Sequence, residues 1–162
     1  MIVLGIDPGT AATGYGVVET GNGGGTPPGS FGRLLECGVI RFPRGRSLPQ
    51  RLAELHAEVQ ALIERHQPTA LALENAFYHK NVRTTLVLGH ARGVVLLAAQ
   101  QHHLAIAEYS PATVKKTVVG AGGASKSQVA AMVARLLRLR QPPRPSDAAD
   151  GVAIALTHIL RT

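Results

Sequence analysis

Met1-Ile-Val-Leu-Gly-Ile-Asp7-Pro-Gly-Thr10 opens the chain, and its reading decides the fold. No polar residue interrupts Ile2 to Ile6, so the segment is expected to be a strand covered on both faces. The run stops on a carboxylate, and Pro8 and Gly9 turn the chain at once. A strand that passes from core to acid in one step carries that acid to a sheet edge on a rigid support. Only two other aspartates exist, Asp147 and Asp150. All three are expected to meet Glu74 in one metal site.

Outward from this strand, Thr13 to Val18 reads as a second strand in hairpin with the first, and Leu34 to Phe42 as a third. Between them residues 20–32 are rich in Gly and Pro and are expected to be a flexible surface loop. Gly23-Gly24-Gly25 lacks the following helix and the Gly-Lys-Ser/Thr ending of a phosphate loop. Ser47 is placed to cap a helix in which Leu52, Leu55, Val59, Leu62 and Ile63 recur at helical spacing, up to Pro68. Ala70-Leu-Ala-Leu73 then runs into Glu74, repeating the pattern of the first strand. A strand, a helix and a strand make a crossover unit with parallel strands. Their carboxyl ends share an edge, so Asp7 and Glu74 can be neighbours.

Residues 80–101 are expected to form a long helix. Its small positions Gly89, Ala91 and Gly93 suit close packing, either on its own sheet or on a second copy of the chain. Leu104 to Tyr109 reads as a fifth strand; it ends on Glu108, a rival to Glu74. A helix from Pro111 carries Lys115 and Lys116, residues 121–124 form a loop, and Ser125 caps a helix that begins with Lys126. A stiff link, Gln141 to Pro145, leads to a last helix capped by Ser146 and running to about Leu160. The 162 residues suit a single domain, 1–162, of α/β class, with no internal repeat.

Seventeen Lys and Arg stand against ten acids, a net charge of +7, which favours a polyanionic partner such as nucleic acid. The lone Cys37 excludes an internal disulfide framework and fits a reducing compartment. No apolar run approaches membrane-spanning length and no export signal is recognised, so the expectation is a cytoplasmic protein without a membrane partner.

Asp147 and Asp150 are three apart at a helix start, so their carboxylates face the same way. Acids there often only complement the helix dipole. Here they precede an apolar helix, and buried carboxylates need a cation or a proton. Oxygen ligands without Cys or paired His select a hard ion, Mg²⁺ or Mn²⁺, and four carboxylates suit two ions. Such a pair activates water and clamps an in-line phosphoryl displacement. Phe77, Tyr78, His79, Lys80 and Arg83 follow Glu74 closely, where aromatics can stack on bases and cations can neutralise phosphates. Lys115, Lys116 and Lys126 could line the same cleft, and one of them could stabilise charge on the phosphate.

Taken together and in order, Gly5-Ile-Asp-Pro-Gly-Thr10, Thr13-Gly-Tyr-Gly-Val17, Glu74-Asn-Ala-Phe77, Lys115-Lys-Thr-Val-Val-Gly120, Ser125-Lys-Ser-Gln128 and Asp147-Ala-Ala-Asp150 resemble the RuvC family of Holliday junction resolvases. The resemblance implies a ribonuclease H-like fold with a five-stranded mixed sheet flanked by helices. It also implies a homodimer that nicks four-way junction DNA in symmetric pairs, in strands of like polarity, in concert with the RuvA–RuvB branch-migration machine. On this chain Asp7, Glu74, Asp147 and Asp150 match the family's metal-binding acids. Phe77 matches an aromatic that meets junction bases, and Lys115 and Lys126 match basic residues needed for activity. Two other readings compete. A non-catalytic junction-binding module accounts for the charge, but leaves four carboxylates repelling phosphate. An ATP-binding protein with the same opening motif needs two such domains, and the chain has room for one.

Overall fold

In the computed structural model of the chain, residues 1–20, 25–75 and 80–162 are described. The sheet has five strands: β1 (Ile2–Asp7), β2 (Ala12–Thr20), β3 (Gly32–Arg41), β4 (Ala70–Glu74) and β5 (Ala105–Tyr109). Their spatial order is β3-β2-β1-β4-β5. The first three form an antiparallel meander, whereas β4 and β5 run parallel to β1. The sheet is therefore mixed, with the expected hairpin and crossover both present. Five helices flank it: α1 (Leu48–His66), α2 (Val82–Gln101), α3 (Pro111–Val119), α4 (Lys126–Leu136) and α5 (Ser146–Arg161).

Side chains alternate along a strand, and this sorts the core into two layers. Leu4, Ile6, Leu71 and Leu73 pack with Leu55 and Val59 of α1 and Val95 of α2. Val3, Ala70 and Ala72 pack on the other face with Val114, Val133 and Ile154, from α3, α4 and α5. Counting on by twos, Asp7 shares the face of Val3 and Glu74 the face of Ala72. Both acids are thus directed to the side covered by α3, α4 and α5.

Ser47 and Ser125 each form a capping box, with Gln50 and Gln128 respectively, which closes the first turns of α1 and α4 and contributes about 1 kcal/mol apiece. The second box fixes Lys126 as the first residue of α4. Ser146 is not the cap of α5, contrary to the expectation from sequence. The cap residue is Pro145, without a side-chain bond, and its carbonyl accepts from the N–H of Ala148. The turn is therefore set one residue earlier.

Helix α5 lies on β1 and β2 with almost no side-chain layer between them. A Cβ at Gly14 would collide with the carbonyl of Asp147, and one on Gly151 would lie 2.5 Å from the backbone of Tyr15. Only glycine permits this approach. It brings the start of α5 beside the end of β1, where Asp7 pairs with Gly14.

Two segments differ from the sequence reading. Ser30 and Phe31, within the segment read as a flexible loop, are tied to α4. The Ser30 hydroxyl and the Phe31 N–H both donate to the carbonyl of Leu136, at 3.1 Å. Helix α2 is long and apolar enough, by length and composition, to cross a membrane. Thr, Gly, His and Arg break up its apolar run without lowering the average enough to hide it. Its Ala91, Val95, Ala98 and Ala99 are buried within the sheet layer shared with α1.

Candidate active site

Asp7, Glu74, Lys115, Lys126 and Asp150 line one hollow of about 170 Å³, walled by Pro111, Val114, Val129 and Ala153. Each polar member is set by its element. Asp7 and Glu74 end adjacent parallel strands, in register through Ile6 and Leu73. Asp150 comes from the early turns of α5, Lys126 from the first residue of α4, and Lys115 from α3.

Glu108, read from sequence as a strand-end acid, is the penultimate residue of β5 and does not line the hollow. Register explains why. Leu73 pairs with Glu108 and Glu74 with Tyr109, and paired residues on neighbouring strands share a face. Glu108 therefore faces the α2 side, where Arg92 binds it at 3.1 Å. Tyr109 takes the α5 side and meets Nδ1 of His158 at 2.8 Å through its hydroxyl. Sequence reasoning missed Arg92, which also donates to the carbonyl of Glu74 at 2.9 Å and so steadies the end of β4. Its signal was an arginine midway along an apolar helix.

The acids crowd one negative spot. Burial, then Glu74, then Asp150 push the carboxyl of Asp7 up to about 7, against a pull downward from Lys126. Glu74 is raised by burial and by Asp150, while Lys126 and Lys115 oppose the rise. The Lys126 ammonium donates to Oδ2 of Asp150 at 2.9 Å, and that bond raises its own pKa. The Lys126 side chain is 69% exposed against 17% for Asp150. The lysine therefore reaches in from solvent and can swing away, whereas the acid is largely enclosed.

These oxygens fit a hard divalent cation in kind, because such an ion would offset the burial and the mutual repulsion that raise the pKa of Asp7. Among the described residues no three His, Cys, Asp or Glu side chains, as placed, surround a common ligation point. Joint ligation requires rotation of the side chains and release of Asp150 by Lys126. Asp147 does not line the hollow, although its charge contributes to the raised pKa of Asp7. Lys80, Arg83 and Lys116 are exposed and do not line it either. Phe77, Tyr78 and His79 lie outside the described residues.

Residues 3–158 match a family profile described as "Crossover junction endodeoxyribonuclease RuvC". A protein of that name from Moorella thermoacetica is 48% identical over 158 residues, covering 98% of this chain and 90% of the relative. The solved structure of Thermus thermophilus RuvC aligns with a TM-score of 0.86 at 37% identity, over 99% of this chain and 94% of the other. RuvC of the same organism in complex with a Holliday junction substrate aligns with a TM-score of 0.89 at 36% identity, with the same coverage.

Proposed function

The chain belongs to the RuvC family of crossover junction endodeoxyribonucleases, and from that membership we propose which of its residues cut a four-way junction and how. It has the ribonuclease H-like fold of the family, and it is a metal-dependent nuclease that resolves Holliday junctions. The observation that carries the residue assignment is the meeting of Asp7, Glu74 and Asp150 with Lys126 in one hollow.

In this reading Asp7, Glu74 and Asp150, joined by Asp147 from the rim of the hollow, would hold Mg²⁺ or Mn²⁺, two ions per subunit. When bound, the ions supply water activation and neutralise charge on the reacting phosphate. Lys126 leaves Asp150 and donates to a phosphate oxygen, favouring the transition state, in which that oxygen is most charged. Lys115, from α3, supports the same charge. The apolar wall of Pro111, Val114, Val129 and Ala153 limits water around the acids and strengthens each of these interactions. Cleavage leaves a 5′-phosphate and a 3′-hydroxyl. Phe77, Tyr78, Lys80, Arg83 and Lys116 contact the junction DNA.

The enzyme acts as a homodimer that makes paired nicks in strands of like polarity, within the cytoplasm and with RuvA–RuvB. An exposed apolar stripe on α2 supports the dimer: Val82, Leu86 and Leu97 are 74%, 60% and 53% exposed. A Cβ on Gly89 or Gly93 would meet nothing within 4 Å. The protein's own sheet therefore does not require glycine at either position, which favours a second copy as the partner.

Asp7→Asn is expected to abolish cleavage of a mobile synthetic junction in Mg²⁺ or Mn²⁺ while gel shifts in chelator remain at parental affinity. Parental nicking by this variant would refute the assignment.

A further inference from the structure

The excess positive charge is not spread evenly along the chain. Residues 109–146 carry three lysines and four arginines and no acid, while the remainder balances ten cations against ten acids. This segment builds α3, α4 and the link into α5, all on the sheet face opposite α1 and α2. Lys115 and Lys126 belong to the hollow already described. The arginines do not. Arg135 is on the side of α4 away from Val129 and Val133, Arg138 and Arg140 follow its end, and Arg144 precedes α5.

All four are exposed. Other arginines are committed to acids: Arg33 to Glu19, Arg46 to Glu54, Arg65 to Glu36 and Arg92 to Glu108. Among the described residues no such ion pair engages Arg135, Arg138, Arg140 or Arg144. Beside them Phe31, 52% exposed, shares a shallow hollow of about 390 Å³ with Gly29, Arg135, Leu136 and Arg138. The bonds from Ser30 and Phe31 to the carbonyl of Leu136 build that hollow.

We propose that Arg135, Arg138, Arg140 and Arg144, with Phe31 at their edge, form a second phosphate-binding face that holds the backbone of a duplex arm away from the point of cleavage. This inference rests on the resolvase reading above. Guanidinium forks match phosphate oxygens in two-point contacts. The eleven residues of α4 span about 16 Å. Arg135, the first arginine of the face, is nine residues or about 14 Å beyond Lys126, and phosphates recur about every 3.4 Å of axis along one strand, so the face begins roughly four base pairs from Lys126. Contacts of this kind position an arm without reading its sequence. Continuity favours DNA over an acidic protein, since the same acid-free segment supplies the lysines of the hollow.

The test compares the parent with a fourfold Arg→Gln variant (R135Q, R138Q, R140Q, R144Q) and its Arg→Lys counterpart. Junction affinity is measured in chelator across a salt series, and cleavage at saturating junction in Mg²⁺. The Gln variant is expected to lose about 10-fold or more in affinity, and its slope of log K against log salt should shrink by about 3. The Lys variant should keep the parental slope, and both should cleave within about 2-fold of the parent at saturation. Parental affinity and slope in the Gln variant would overturn the proposal and leave the face to an acidic protein. Equal losses in the Gln and Lys variants would also overturn it, by pointing to structural damage. Failure of the parent itself to cleave would count against the resolvase reading instead.

Discussion

Asp7 binds its proton more tightly in the folded protein than in the unfolded chain, because its carboxyl is raised from 3.8 to about 7 by burial and then by Glu74. An acid shifted this way adds stability that is complete below the unfolded value and is lost as pH rises through about 7. The displacement from 3.8 to about 7 is worth at most about 4 kcal/mol. In chelator the parent is therefore expected to melt at a lower temperature at pH 8 than at pH 5. Asp7→Asn should remove most of that difference, and so should divalent ion added to the parent. Thermal melts at the two pH values, with and without metal, check the sign. Lys126 works against the same shift and also holds Asp150 at 2.9 Å. Lys126→Ala is expected to slow cleavage about 100-fold at saturating junction, while altering junction affinity by less than about 3-fold. A single-turnover assay beside a gel shift reads both.

Among the elements, the contact of α5 with β1 and β2 sets the geometry of the hollow. Gly14→Ala would drive a methyl group into the carbonyl of Asp147. The expected cost is about 2–3 kcal/mol in urea unfolding, with cleavage falling further than binding because Asp147 and Asp150 move together. On α2, the double change of Leu86 and Leu97 to Glu should leave a folded monomer, seen as half the sedimenting mass. At this scale the sequence was partly legible. Asp7 and Glu74 could be read as strand ends because an apolar run stopping on an acid is a one-dimensional pattern. Glu108 shows the same pattern and belongs elsewhere, since the register of β5 against β4 decides its face and spacing does not encode register. Ser146 has the composition of a cap, but the Pro145 carbonyl closes the turn before it. Arg92 was missed for a related reason: its partners are a backbone carbonyl and an acid brought to it only by the folded sheet.

For the whole molecule, composition alone gave the net charge but not its address. The address emerges when the acid-free stretch 109–146 is seen to build α3, α4 and the link on one side of the sheet. The acids of the cleavage site share that side: Asp7 and Glu74 face it, and Asp147 and Asp150 belong to α5. A cationic border therefore adjoins an anionic centre. A polyanion is drawn to the border while its phosphates are pushed back from the acids, and divalent ions lower that second barrier by neutralising the carboxylates. Metal supply thereby governs how closely an attracted strand can settle, while salt in the medium limits both fields to about a Debye length.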